Sequence, residues 1–241
     1  MEALFFVIGA CFGSFLGVCI YRIPRKKSII SPPSYCSHCN RTIKWYDNIP
    51  IVSYCLLQGR CRFCHKKVPL SYLGVEIITA ATFLTTYLKF GLSIKLLIYL
   101  SFFSLLIIGS FIDVEREILP DIITIPGIIL GLLVSHFTIG IFSSFLGCVV
   151  GAVVVTLFAI LGKFMFKKEA MGGGDIKLLA MIGCFTGWVN ALWVIFLGSF
   201  IGLIFGLIKK QYRLPFGPFL SGASFIIVII DPFTFYLTLL Y

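Results

Sequence analysis

Eight apolar runs, each bounded by charged, proline or glycine residues, set the rhythm of the chain: about 3–20, 72–90, 94–112, 122–138, 140–162, 175–188, 189–208 and 218–240. None alternates strictly between apolar and polar positions, so none reads as an amphipathic strand. Lipid accepts only helices or closed barrels, which makes helix the expected state of every run. A spanning helix needs roughly 20 apolar residues, and the run at 175–188 is the weakest span because it is short. The first run carries Glu2, lacks a basic segment ahead of it and shows no convincing cleavage site, so a retained span is expected rather than a removed signal peptide. One substantial polar insertion, 22–71, interrupts the series, and there is no internal repeat. The expected architecture is an all-α membrane protein, a polytopic bundle of about eight transmembrane helices. It divides into a first helix (1–21), a cytoplasmic loop domain (22–71) and a transmembrane domain (72–241).

Composition supports this and excludes an ordinary soluble domain: 59% of residues are hydrophobic, only 12% are charged, and mean hydropathy is +1.03. A net charge of +10 would suggest nucleic acid as a partner, but its distribution argues otherwise. Arg22, Arg25, Lys26, Lys27, Arg41, Lys44, Arg60, Arg62, Lys66 and Lys67 all lie in the insertion, opposed there only by Asp47. With eight spans and the insertion inside, only Lys89 and Lys95 fall outside. That is the positive-inside pattern, and it puts both termini outside. The basic excess reads as topology, with membrane lipid and not nucleic acid as the partner.

The insertion contains "CSHC" and "CRFC", that is Cys36, Cys39, Cys61 and Cys64, with 21 residues between the two knuckles. Paired Cys-x-x-Cys motifs suit a tetrahedral four-thiolate zinc site. A loop with little core of its own would draw folding energy from the metal, and Arg62, Lys66 and Lys67 would offset the thiolate charge. His38 and His65 lie in or beside the knuckles and read as bystanders. Cys11, Cys19, Cys55, Cys148 and Cys184 lie mostly in apolar runs, where cysteine behaves as a small hydrophobe.

Among the acids, Glu2, Glu115, Glu117 and Glu169 read as solvated, and Asp231, before Pro232, as the cap of a broken helix. Asp113 ends the third run and Asp175 opens the sixth, so the two lie at one depth near the cytoplasmic face. Charges inside spans are costly and face the bundle interior. Packing of these helices would bring the two carboxylates together. Such a pair shares a proton, and a water between them can be activated against a peptide carbonyl. In "MGGGD", Gly172, Gly173 and Gly174 would let an extended substrate approach Asp175. Taken alone, Asp175 would read as an N-cap and the glycines as a linker; the matched depth of Asp113 favours the pair. Asp121, after Pro120, reads as a helix cap and stands as the substitute partner. A proton-coupled transporter using the same aspartates as a relay is the alternative of another class.

"GSFLGVCIYRIP" (13–24), the double CxxC around "WYDNIP" (45–50), "DVEREILPD" (113–121) and "GGGDIKLLAMIG" (172–183) together resemble, in their order, the bacterial type IV prepilin peptidases. The last carries the GxGD motif of membrane aspartic proteases. The resemblance implies a plasma-membrane enzyme that removes the basic leader of prepilins or pseudopilins, after a glycine, at the cytoplasmic face. It implies Asp113 and Asp175 as the catalytic pair and the four cysteines as structural zinc ligands. It also implies N-methylation of the new N-terminus from S-adenosylmethionine, although Gly17 stands where the family usually has Asn. Lys177, at the inner end of the sixth run, and Glu76, near the start of the second, are candidate supporting residues. For Glu76 two roles are open, contact with substrate or methyl donor, or pairing with a loop arginine.

Overall fold

A computed structural model describes residues 1–166, 172–210 and 214–230. Its chain forms two compact units, Met1–Leu96 and Leu97–Tyr241. Among the described residues there are helices and two isolated bridges but no strands. The polytopic all-α expectation therefore holds. Glu169, Asp231, Lys167, Lys168 and Arg213 lie outside the described residues, as does the end of the eighth run.

In the first unit, α1 (Glu2–Arg22) runs antiparallel to α3 (Leu70–Phe90). Gly9, Gly13 and Gly17 recur every fourth residue and form a small-residue stripe, the feature that lets membrane helices approach closely. A β-carbon on Gly9 would stand 2.8 Å from the Cα of Ala80, and one on Gly13 would stand 2.7 Å from the Cα of Glu76. Phe5 and Tyr87 stack across the other end, centroids 4.2 Å apart. The intervening loop holds a one-turn helix, α2 (Val52–Leu56), and the two knuckles.

The second unit comprises most of α4 (Ile94–Arg116), then α5 (Asp121–Val134), α6 (Ile141–Phe166), α7 (Gly173–Thr186), α8 (Trp188–Lys209) and α9 (Gly217–Ile230). Among the described residues, five helices, α1, α3, α4, α6 and α8, are long and apolar enough to cross a membrane. The shortness of α7 has a physical reason. Every residue from Leu178 to Thr186 is buried, so α7 is wrapped by protein on all sides instead of facing lipid. Glycines admit its neighbours: Gly147 of α6 meets the Gly183 backbone, Gly151 meets Leu179, and Gly127 and Gly131 of α5 meet Met181 and Cys184. Ser144 donates its hydroxyl to the Cys184 carbonyl at 2.7 Å, tying α6 to α7 with a bond that hydrocarbon cannot replace.

Candidate active site

Helix α4 packs on α7 through Phe102 and Phe185, which stack at 4.4 Å and are both fully buried. From that contact, 11 residues along α4 lead to Asp113, and 10 back along α7 lead to Asp175. At 1.5 Å per residue the paths rise about 15–17 Å, so the antiparallel register delivers the two acids to nearly the same level. There the carboxylates are near enough to interact electrostatically.

Asp113 is 6% exposed and its Oδ2 accepts the Gly217 N–H at 2.9 Å. This donor comes from the first turn of α9, where backbone N–H groups lack helical partners and favour an anion. Sequence reasoning missed Gly217. Its signal was the Gly-Pro pair that opens the last apolar run, since proline suits the first turn of a helix. A β-carbon there would lie 2.8 Å from Asp113 Oδ2, so only glycine leaves that oxygen in place. Gly217→Ala is expected to lower kcat severalfold while membrane insertion and KM change little, as steady-state assays would register.

Three expectations need correction. Helix α4 continues to Arg116, so Asp113 sits a turn inside the helix rather than at its end. Helix α7 begins at Gly173, which makes Asp175 the third helical residue and Gly172 the N-cap. Asp175 Oδ2 accepts the Gly172 N–H at 3.3 Å, so the acid closes its own helix start from inside. Gly173 and Gly174 are thus helical rather than lying ahead of the helix, because this cap draws the first turn back over them. The glycines also divide in role. Gly173 faces open space, whereas a side chain on Gly174 would strike Leu119 at 2.8 Å. Gly172 and Gly173 keep an open approach, and Gly174 serves packing.

Asp121 does not cap by its side chain: Pro120 is the N-cap of α5, and Asp121 accepts a 2.6 Å hydrogen bond from Lys177. Both partners are substantially exposed, so this pair contributes at most about 1 kcal/mol. It links the starts of α5 and α7, one turn from Asp175. Glu76 is engaged by the loop backbone and not by a loop arginine. Its Oε2 accepts the Ile51 N–H at 2.7 Å, holding a β-branched residue at φ +63°, where L-residues with branched side chains are strained.

The cysteine knuckles are built alike. Cys36 N–H bonds the Arg41 carbonyl and Asn40 N–H the Cys36 carbonyl; Cys61, Lys66 and His65 repeat the pattern. Asn40 and His65 both adopt positive φ, 55° in each. The four sulfurs lie within 4.8 Å of one another, with Cys36 and Cys64 at 3.8 Å. A tetrahedral ion about 2.3 Å from each sulfur requires separations of about 3.8 Å. The donor set fits a metal, and neither histidine belongs to it. Cys61 is already drawn down to about 7, first because it accepts the Cys64 N–H and then that of Phe63. Arg62 chelates Asp47 through its Nε and Nη2 and so spans the two halves of the loop. Cys36→Ser is expected to lose bound metal, read as metal stoichiometry by elemental analysis.

The second unit therefore presents a buried and a half-buried carboxylate at one level, beside open glycines, which is an arrangement suited to acid–base hydrolysis. Comparison with known proteins agrees. Residues 7–90 match the bacterial peptidase A24 N-terminal domain, and residues 100–207 match the type IV leader peptidase family. A "Prepilin leader peptidase/N-methyltransferase" of Pseudomonas putida is 32% identical over 92% of this chain and 88% of its own length. One of Neisseria gonorrhoeae is 34% identical over 92% and 87%. One of Myxococcus xanthus is 36% identical over 84% of this chain, which spans 61% of that protein's length. No solved structure matches. The chain belongs to the type IV leader peptidase family, and it is an integral membrane protein.

Proposed function

We propose that this protein is a membrane aspartic endopeptidase that removes the leader of prepilins or pseudopilins. The observation that carries the reading is the convergence of Asp113 and Asp175 at one level of the α4–α7 pair. One carboxylate of the pair holds a proton and the other is charged. The charged member takes a proton from a bound water as its oxygen attacks the scissile carbonyl. The protonated member hydrogen-bonds the carbonyl oxygen and then supplies the proton that the departing amine needs. Gly172 and Gly173 leave room for an extended backbone beside Asp175.

The charge asymmetry supports placing this site and the cysteine loop at the cytoplasmic face of a bacterial plasma membrane, with both termini outside. The four cysteines would hold zinc, which would supply structural rigidity to the loop rather than chemistry. The relay-transporter reading has no support among the relatives. The test is co-expression with a leader-bearing prepilin: a mobility shift with cleavage after glycine is expected, and an unprocessed prepilin in the presence of inserted protein would overturn the reading.

Methyl transfer from S-adenosylmethionine to the new N-terminus is a second reading, favoured by a cavity of about 220 Å³ within the first unit. Tyr21, Tyr54, Tyr72 and Glu76 line it, offering aromatic faces and a carboxylate to a cationic donor. At Gly17, where the resemblance leads to an expected Asn, a β-carbon would lie 3.3 Å from the Tyr72 ring, so the position faces the wall of this cavity. Mass spectrometry of the mature substrate decides it: a methylated N-terminus supports transfer, and an unmodified one restricts the protein to proteolysis.

A further inference from the structure

The short segment from Ile49 to Leu57 does not stand out in solution above the helices. Glu76, which binds the Ile51 N–H, is six residues into α3, and Gly13 of α1 lies directly against it. At 1.5 Å per residue, the Glu76 backbone lies about 9 Å along α3 from its start and about 13–14 Å back from the end of α1, and its side chain reaches toward the start of α3 to hold Ile51. Each of those helices has 21 residues, about 31 Å, which matches a hydrocarbon core of about 30 Å. The loop therefore turns back along the helix pair; with the bilayer surface set at the start of α3, this segment falls near the depth of about 5–10 Å that interfacial helices occupy.

This segment has two faces. Ser53, Tyr54 and Leu57 line the cavity of the first unit. Val52 and Leu56, one helical turn apart on α2, are 50% and 78% exposed and do not line it. Such exposure of two aliphatic side chains on a polar loop is costly in water and favourable in lipid. The backbone is equipped for the same environment. The N–H of Ile49 bonds Ser53 Oγ, that of Ile51 bonds Glu76, and those of Ser53, Cys55 and Leu57 bond carbonyls four residues earlier. Paired N–H groups are what a segment leaving water requires. Exposed Lys26 and Lys27, just beyond α1, and Lys44, beside the exposed Trp45, supply cations for anionic headgroups.

We propose that Val52 and Leu56 insert into the headgroup–acyl boundary of an anionic bilayer, so that α2 is a lipid-seated anchor for the cysteine loop. Lipid on one side of α2 would hold its other side as a fixed wall of the cavity. The carboxylates of the second unit take no part in this, so the proposal stands or falls apart from proteolysis.

The test uses the full-length protein in phosphatidylglycerol-containing bilayers, with Trp45, Trp188 and Trp193 replaced by Phe and a single tryptophan introduced as Leu56→Trp. Val52→Trp serves as an independent second probe, and each variant must keep the wild-type helical circular dichroism. Blue-shifted emission, loss of intensity with lipids brominated near the headgroup, and protection from acrylamide are expected at both positions. Ready quenching by acrylamide without quenching by brominated lipid would overturn the proposal. Protection from both quenchers would overturn it as well, because a protein, either a second copy or a bound prepilin, would then cover the surface.

Discussion

Gly147→Val is expected to destabilise the second unit by about 3 kcal/mol and to depress prepilin cleavage with it. The α6–α7 crossing is a backbone-to-backbone contact, in which a β-carbon on Gly147 would run into the Gly183 carbonyl and one on Gly183 into the Gly147 carbonyl. No flexible side chain lies at that point to move aside, so the helices must separate. Separation would also stretch the Ser144 bond to the Cys184 carbonyl and loosen the seat of the Cys184 side chain against Gly131. Because α7 carries Asp175, the acid pair loses its register. Thermal denaturation in detergent would show the lowered transition, while metal content, set in the first unit, should stay at the wild-type level.

Asp113→Asn and Asp175→Asn should each abolish processing of a co-expressed prepilin, with membrane insertion preserved. Each change keeps side-chain shape and removes one member of the proton-sharing pair, so a charged base and a protonated donor are no longer present together. Asp121→Asn is the matched control. It removes a carboxylate of the same neighbourhood that the structure pairs with Lys177 at an exposed site, and most processing should persist. Loss of activity in Asp121→Asn with retention in Asp113→Asn would transfer the partner role to Asp121.

Much of this site was legible in the chain before any coordinates. The apolar runs predicted the helices because hydrocarbon allows one backbone solution, and the depth of Asp113 and Asp175 followed from counting spans. The knuckles were legible because their spacing is local. What escaped were features made by packing at long sequence separation. Gly217 reaches Asp113 across 104 residues, and the Gly-Pro pair at its position announces a helix start but not that partner. The capping expectation for Asp121 failed because Pro120 already stands at the N-cap and Lys177, 56 residues away, claims the carboxylate. The glycines before Asp175 were expected to lie ahead of the helix, yet Gly173 and Gly174 form its first turn, which Asp175 closes by accepting the Gly172 N–H. Glu76 was expected to meet a ligand or a loop arginine, and nothing in its own neighbourhood showed that it would also hold the Ile51 N–H, 25 residues away.

The proposed chemistry rests on two side chains from α4 and α7 meeting in the membrane-embedded protein. Solid-state NMR of active protein in bilayers, with the aspartate carboxyl carbons labelled, measures that directly. A through-space correlation between the Asp113 and Asp175 carboxyl carbons, absent from both Asp→Asn variants, is the expected result; active protein in which those two carbons show no such correlation would contradict it.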